Sequence, residues 1–126
     1  MMMRILILLA ALAPLCAQAN TLRCMPDKIC VPGNCDVAIT EEAHIRMIHP
    51  DSIAPALQSH GETVPMAKTF EHRGQSSWAG MNAAGEYESV SLDRERMQFR
   101  YWIGKEPVRY VQPSRRYYAY GQCVEQ

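Results

Sequence analysis

The stretch Glu86–Ile103, EYESVSLDRERMQFRYWI, decides the fold. In its second half Met97, Phe99, Tyr101 and Ile103 alternate with Gln98, Arg100 and Trp102. A period of two marks a strand with two unlike faces. In the first half Val90 and Leu92 share a side with Glu88, and Tyr87, Ser89 and Ser91 share the other. The polar run Asp93-Arg94-Glu95-Arg96 between them reads as a four-residue hairpin loop. Setting Leu92 opposite Met97 places Val90 against Phe99, Glu88 against Tyr101 and Tyr87 against Trp102. Val90, Leu92, Met97, Phe99 and Tyr101 then form one apolar face. A slip of one residue would turn that set outward, so sidedness is strongly specified. The other face carries the expected Tyr87–Trp102 pair.

Outward from this hairpin, short strands alternate with turns. Met66–Glu71 and Ser76–Met81 read as strands, separated by His72-Arg73-Gly74-Gln75. Asn82-Ala83-Ala84-Gly85 is a second turn, with Gly85 suited to the left-handed conformation. Past the hairpin, Gly104–Pro107 turns, Val108–Gln112 is a strand, Pro113–Arg116 turns, and Tyr117–Val124 is the last strand. Turns about every ten residues from Glu71 onward predict a mainly β fold: a small antiparallel meander, barrel-like or sandwich. Upstream, Ser52–Pro65 reads as connection, broken by Pro55, Gly61 and Pro65. Thr40-Glu41-Glu42 has the character of a helix start, whereas Ile45 and Met47 alternate with His44, Arg46 and Ile48 as in a strand. The strand is the better reading, and Pro50-Asp51 ends it.

Met1–Ala19 has the pattern of a signal peptide. Arg4 precedes the apolar run Ile5–Ala13, and Ala17-Gln18-Ala19 is a small-x-small cleavage site before Asn20. Cys16 follows the bulky Leu15, so it is read as removed with the signal rather than lipid-modified. The expected mature chain is a single domain, Asn20–Gln126, in the periplasm or secreted, with no stable membrane insertion after signal removal. It carries 12 Lys+Arg against 13 Asp+Glu, a net charge of −1. That balance and that compartment argue against nucleic acid as a partner. The charge is uneven: Asn20–Asp93 has 5 basic and 10 acidic residues, and Arg94–Gln126 has 7 basic and 3 acidic. Oppositely charged strands lying side by side would explain this, as would a basic face near the C-terminus.

Four cysteines remain in the mature chain: Cys24, Cys30, Cys35 and Cys123. An even count in a small exported protein reads as two disulfides, for which three pairings exist. The favoured pairing joins Cys30 to Cys35 across a tight loop and Cys24 to Cys123 across nearly the whole chain. The spacings are not those of a zinc site, so no metal and no cofactor is expected.

Chemistry is sparse. Oxidised cysteines leave no thiolate nucleophile. His44 and His49 fall on opposite faces of a strand, and no serine sits in a nucleophile elbow. Glu86 and Glu88 share a strand face and could form an acid pair, but two acids on an exposed strand face are the simpler reading. The chain is therefore expected not to be an enzyme. The C-terminal stretch is richer in recognition residues. Arg109, Ser114, Arg115, Arg116, Tyr117 and Tyr118 are the candidate binding residues, with the two adjacent arginines expected at a hairpin tip. Tyrosine and arginine are enriched at protein interfaces, although both are also ordinary on strands and at hairpin tips.

The arrangement Cys24-x5-Cys30-x4-Cys35 with a terminal Tyr120-Gly121-Gln122-Cys123 resembles a group of small exported β-proteins of alphaproteobacteria. That resemblance implies an exported, disulfide-containing β fold and no particular activity. A more distant likeness is to periplasmic lysozyme inhibitors of the MliC type, which are small β-barrels. Ser114-Arg115-Arg116-Tyr117 and Trp102-Ile103-Gly104-Lys105 are the stretches nearest their motifs, without that family's spacing. The leading expectation is a periplasmic or secreted interaction protein, with inhibition of a hydrolase as one form of it. A small carrier of an apolar ligand and a structural role in the envelope are the alternatives.

Overall fold

The central hairpin forms, two residues out of the expected register. In the computed structural model, which describes residues 20–105 and 115–126, nine strands make one antiparallel sheet. They are β1 (Thr21–Cys30), β2 (Ile45–Ile48), β3 (Ala56–Ser59), β4 (Glu62–Pro65), β5 (Ala67–His72), β6 (Gln75–Met81), β7 (Tyr87–Asp93), β8 (Gln98–Gly104) and β9 (Arg115–Glu125). Leu92 lies opposite Phe99, Val90 opposite Tyr101, Glu88 opposite Ile103 and Tyr87 opposite Gly104. The cause is Asp93. Its carboxylate accepts the backbone N–H groups of Glu95 and Arg96 at 3.0 and 3.2 Å, so it initiates the turn from inside the ladder. Met97 takes a left-handed conformation, φ 54°, and joins the loop. A shift of two preserves sidedness, so Val90, Leu92, Phe99 and Tyr101 are buried together as expected. The expected Tyr87–Trp102 pair is corrected: Trp102 sits between Ser89 on β7 and Tyr118 on β9.

Strand order is β4-β3-β2-β1-β9-β8-β7-β6-β5. Two meanders, β1 to β4 and β5 to β9, are joined where β1 pairs with β9. The sheet curls into a nearly closed barrel. Ser52–Pro65 is therefore not mere connection, because it holds β3 and β4. Their two-residue turn, His60-Gly61, has φ values of 48° and 76°, both left-handed, and such a turn matches the twist of a hairpin. Around residue 40 both sequence signals are realised in turn. Glu41–Ala43 forms a single 3-10 turn, and β2 follows with Ile45 and Met47 buried. β1 and the part of β9 that holds Arg115 and Arg116 were not expected as strand. The signal peptide, the strand Val108–Gln112 and half of its flanking turns lie outside the described residues.

Both favoured disulfides are present. Cys24 and Cys123 face each other across the β1–β9 ladder and are buried, and Cys30–Cys35 closes the loop after β1. Beside the first, the β1–β9 register shifts between Pro26 and Lys28. A Cβ on Gly121 would come within 2.2 Å of the Met25 carbonyl oxygen there, so the bulge needs a glycine opposite it. The interior is filled by its own side chains, with Trp78, Tyr101, Phe99, Met47, Leu57 and Ile103 all essentially inaccessible.

The seam between the meanders has no ladder of its own in the sheet order. β4 instead packs against β6. Gly80 permits the approach: a Cβ there would meet the Pro65 carbonyl oxygen at 2.2 Å and the Met66 sulfur at 2.8 Å. Gly80→Ala is expected to cost about 1–3 kcal/mol through forced displacement of β4, read as a lower urea midpoint. An unchanged midpoint would mean that the seam is looser than this packing implies. Polar links reinforce the closure. Glu62 accepts the Ala83 N–H at 2.6 Å, and Trp78 donates its indole N–H to the Pro50 carbonyl at 2.9 Å. Asp51 binds Arg94 through two bonds of 3.0 and 2.6 Å and Lys68 at 2.8 Å. Chiefly through the Arg94 hydrogen bond, its carboxyl is held well below the usual range.

Candidate interaction site

The candidate residues of the C-terminal stretch separate onto three surfaces. β9 alternates, with Tyr117, Ala119 and Cys123 turned toward the core and Tyr118 and Tyr120 turned outward. Arg109 and Ser114 lie outside the described residues. Arg115 and Arg116 belong to β9 rather than to an expected hairpin tip.

On the outer face, β8 and β9 bring three aromatic rings into a row. Trp102 and Tyr118 are cross-strand partners with ring centroids 5.6 Å apart, and Tyr118 lies 5.7 Å from Tyr120. The Arg115 guanidinium carbon stands 5.1 Å from the Trp102 centroid and 5.5 Å from that of Tyr118. Stacking of this kind holds the guanidinium in place while its N–H groups stay available at their edges. A shallow groove of about 570 Å³ runs along this face past Trp102 and Tyr120, edged by Arg96, Arg100, Asp27 and Asp93. The indole N–H of Trp102 is buried, and among the described residues it has no hydrogen-bond partner. Sequence reading had found Tyr118 and Arg115 but not their association with Trp102. The eleven-residue β9 creates that association, by carrying Tyr118 back alongside β8.

Arg116 leaves this row. It makes a two-point ion pair with Glu86, Nη2 to Oε1 at 2.9 Å and Nε to Oε2 at 2.5 Å. The pairing lowers the Glu86 carboxyl and raises the Arg116 guanidinium from their ordinary values. Here, as at Asp51–Arg94, an arginine of the basic C-terminal part neutralises an acid of the preceding part. At these two positions the uneven charge is resolved between neighbours.

Tyr117 turns inward beneath His60, with centroids 5.1 Å apart and edge-on, and beside Tyr101 at 5.7 Å. Burial pushes its hydroxyl up, and among the described residues that hydroxyl has no partner. Below it lies a buried polar cluster that the sequence reading missed. Glu88 is 2% exposed, not on an exposed face with Glu86 as expected. Its carboxylate accepts Ser59 Oγ at 2.8 Å, Asn82 Nδ2 at 2.9 Å and the Tyr101 hydroxyl. Burial, together with the adjacent Glu88 charge, raises the Tyr101 hydroxyl far above its ordinary value. These bonds tie β3 to β7 across the seam. Each carboxylate oxygen is already engaged, so the cluster reads as internal cross-linking. The only sequence signal was Glu88 sharing a side with Val90 and Leu92.

The fold and these features define a small, disulfide-stapled, barrel-like β protein with an aromatic–arginine strip on one outer face. No protein-family model matches the chain, and no curated protein or solved structure shows significant similarity to it. No helix among the described residues is long and apolar enough to cross a membrane. The two disulfides point to an oxidising, extracytoplasmic setting.

Proposed function

We propose that the protein is an interaction module of the periplasm or the extracellular space that binds another protein through the strip formed by Trp102, Tyr118, Tyr120 and Arg115. The observation that carries this reading is the association of three partly exposed aromatic rings with a stacked guanidinium on the outer face of the sheet. Tryptophan, tyrosine and arginine are the side chains that most often dominate binding energy at protein interfaces. Rigid aromatic groups held by cross-strand packing lose little conformational freedom on binding. A stapled barrel makes the strip a preorganised surface, a property suited to an inhibitor of a hydrolase. The carrier reading has no comparable feature behind it, since the interior is occupied by Trp78, Tyr101 and Phe99.

The test is a paired substitution, Arg115→Glu with Tyr118→Ala. The pair is expected to weaken the partner complex by at least about a hundredfold, as loss of a hot-spot pair does. The isolated protein should keep its β-sheet spectrum and most of its melting temperature. Unchanged affinity in the folded variant would remove the strip from the interface.

A further inference from the structure

The β1–β4 meander, which adjoins β9, carries a second cluster of polar side chains that shares no residue with the strip. Arg23 on β1 and Arg46 on β2 are directly opposed in the antiparallel register. Opposed residues share a face and bring their Cβ atoms within about 5 Å of each other, where like charges destabilise the pair. Among the described residues neither guanidinium has a carboxylate within ion-pair distance, since the ion pairs there involve Lys68, Arg94 and Arg116. The row continues across the sheet: Arg46 opposes Gln58 on β3, and Gln58 opposes Thr63 on β4. Four hydrogen-bond donors on four adjacent strands thus line one wall of a cleft of about 540 Å³. Glu41 and Glu42 of the 3-10 turn, with His44 just after it, also line the cleft, as do His60 and Glu62. Glu62 is already engaged by the Ala83 N–H.

We propose that this cleft binds a small oxyanion-bearing molecule. A phosphate or carboxylate is held between Arg23 and Arg46, and its polar remainder lies along Gln58 and Thr63. Two guanidiniums on paired positions of one cleft can satisfy several oxygens at once, in the bidentate geometry that favours arginine over lysine at such sites. The anion also relieves the like-charge opposition built into the β1–β2 register. The acids that share the cleft, Glu41 and Glu42, disfavour large polyanions and favour a ligand whose remaining groups are neutral or cationic.

Calorimetric titration of the purified oxidised protein with inorganic phosphate, and separately with acetate, tests the site. The expected result is saturable binding of at least one of them, weakened about tenfold or more by Arg46→Gln. Phosphate alone binding would point to a phosphorylated ligand, and acetate binding as well as phosphate to a carboxylate. A second readout separates this from a structural role. Without any oxyanion, Arg46→Gln should leave the melting temperature unchanged or raise it, because the substitution removes the repulsion. Three results overturn the proposal: no saturable binding of either anion, binding undiminished by Arg46→Gln, or a lower melting temperature for Arg46→Gln in anion-free buffer. The last would mean that Glu41 or Glu42 supplies the counter-charge in solution.

Discussion

Replacing both Cys24 and Cys123 by alanine is expected to lower the unfolding free energy by about 4–5 kcal/mol in the chain-entropy account, against about 2 kcal/mol for the Cys30 and Cys35 pair. The difference follows from loop length. The first bridge spans 99 residues of sequence and the second 5. The long bridge also lies inside the β1–β9 ladder that joins the two meanders, with both sulfurs buried. Its loss therefore leaves a cavity as well as an unfolded chain freed from its largest closed loop. Urea unfolding of the two double variants under identical conditions gives the comparison. Equal destabilisation would mean that the β1–β9 ladder closes the barrel without help from the bridge.

The second large effect concerns the opposite side of the barrel. Glu88→Ala is expected to cost about 3–5 kcal/mol, because it strands three hydrogen-bond donors and empties the space of a buried side chain. Ser59, Asn82 and Tyr101 would each lose an acceptor in a place that water does not reach freely. Glu88→Gln keeps the shape and one carbonyl acceptor, so it should fall between wild type and alanine. The readout is again the urea midpoint, with hydrogen exchange of β3, β4 and β7 expected to speed up first. A loss below about 1 kcal/mol for Glu88→Ala would show that hydrophobic packing holds the seam and that the carboxylate is incidental.

These two closures show what could be read from the chain. Alternation in Val90–Leu92 and Phe99–Ile103 carried the central hairpin, its sidedness and the meander class, because burial on one face writes a period of two into the sequence. The register was missed by two because the turn was placed by polarity, while the Asp93 side chain sets it by capping two backbone N–H groups. β3 and β4 escaped because each has only four residues and a proline stands beside or within them. Strands that short contain too few alternations to register, and the informative signal was the glycine of His60-Gly61. Cysteine parity carried both disulfides to a favoured pairing.

The site was legible by composition and not by geometry. Arg115, Tyr117 and Tyr118 stood out as residue types, but adjacent strand residues point to opposite faces, so Tyr117 left the strip while Trp102 and Tyr120 joined it. Glu88 looked exposed because an acid in a strand usually is. Its partners come from β3, from the turn before β7 and from β8, and no local pattern brings those together. The opposed arginines were equally hidden, since Arg23 and Arg46 become neighbours only once β1 and β2 pair.

The most direct test of the interaction reading is quantitative recovery of bound proteins from the envelope fraction of the producing cell. Oxidised wild-type protein would serve as bait beside the folded Arg115→Glu/Tyr118→Ala variant. The account predicts at least one stoichiometric partner retained by wild type and lost by the variant. A partner held equally by both, or none held by wild type at concentrations that saturate ordinary protein complexes, would contradict it.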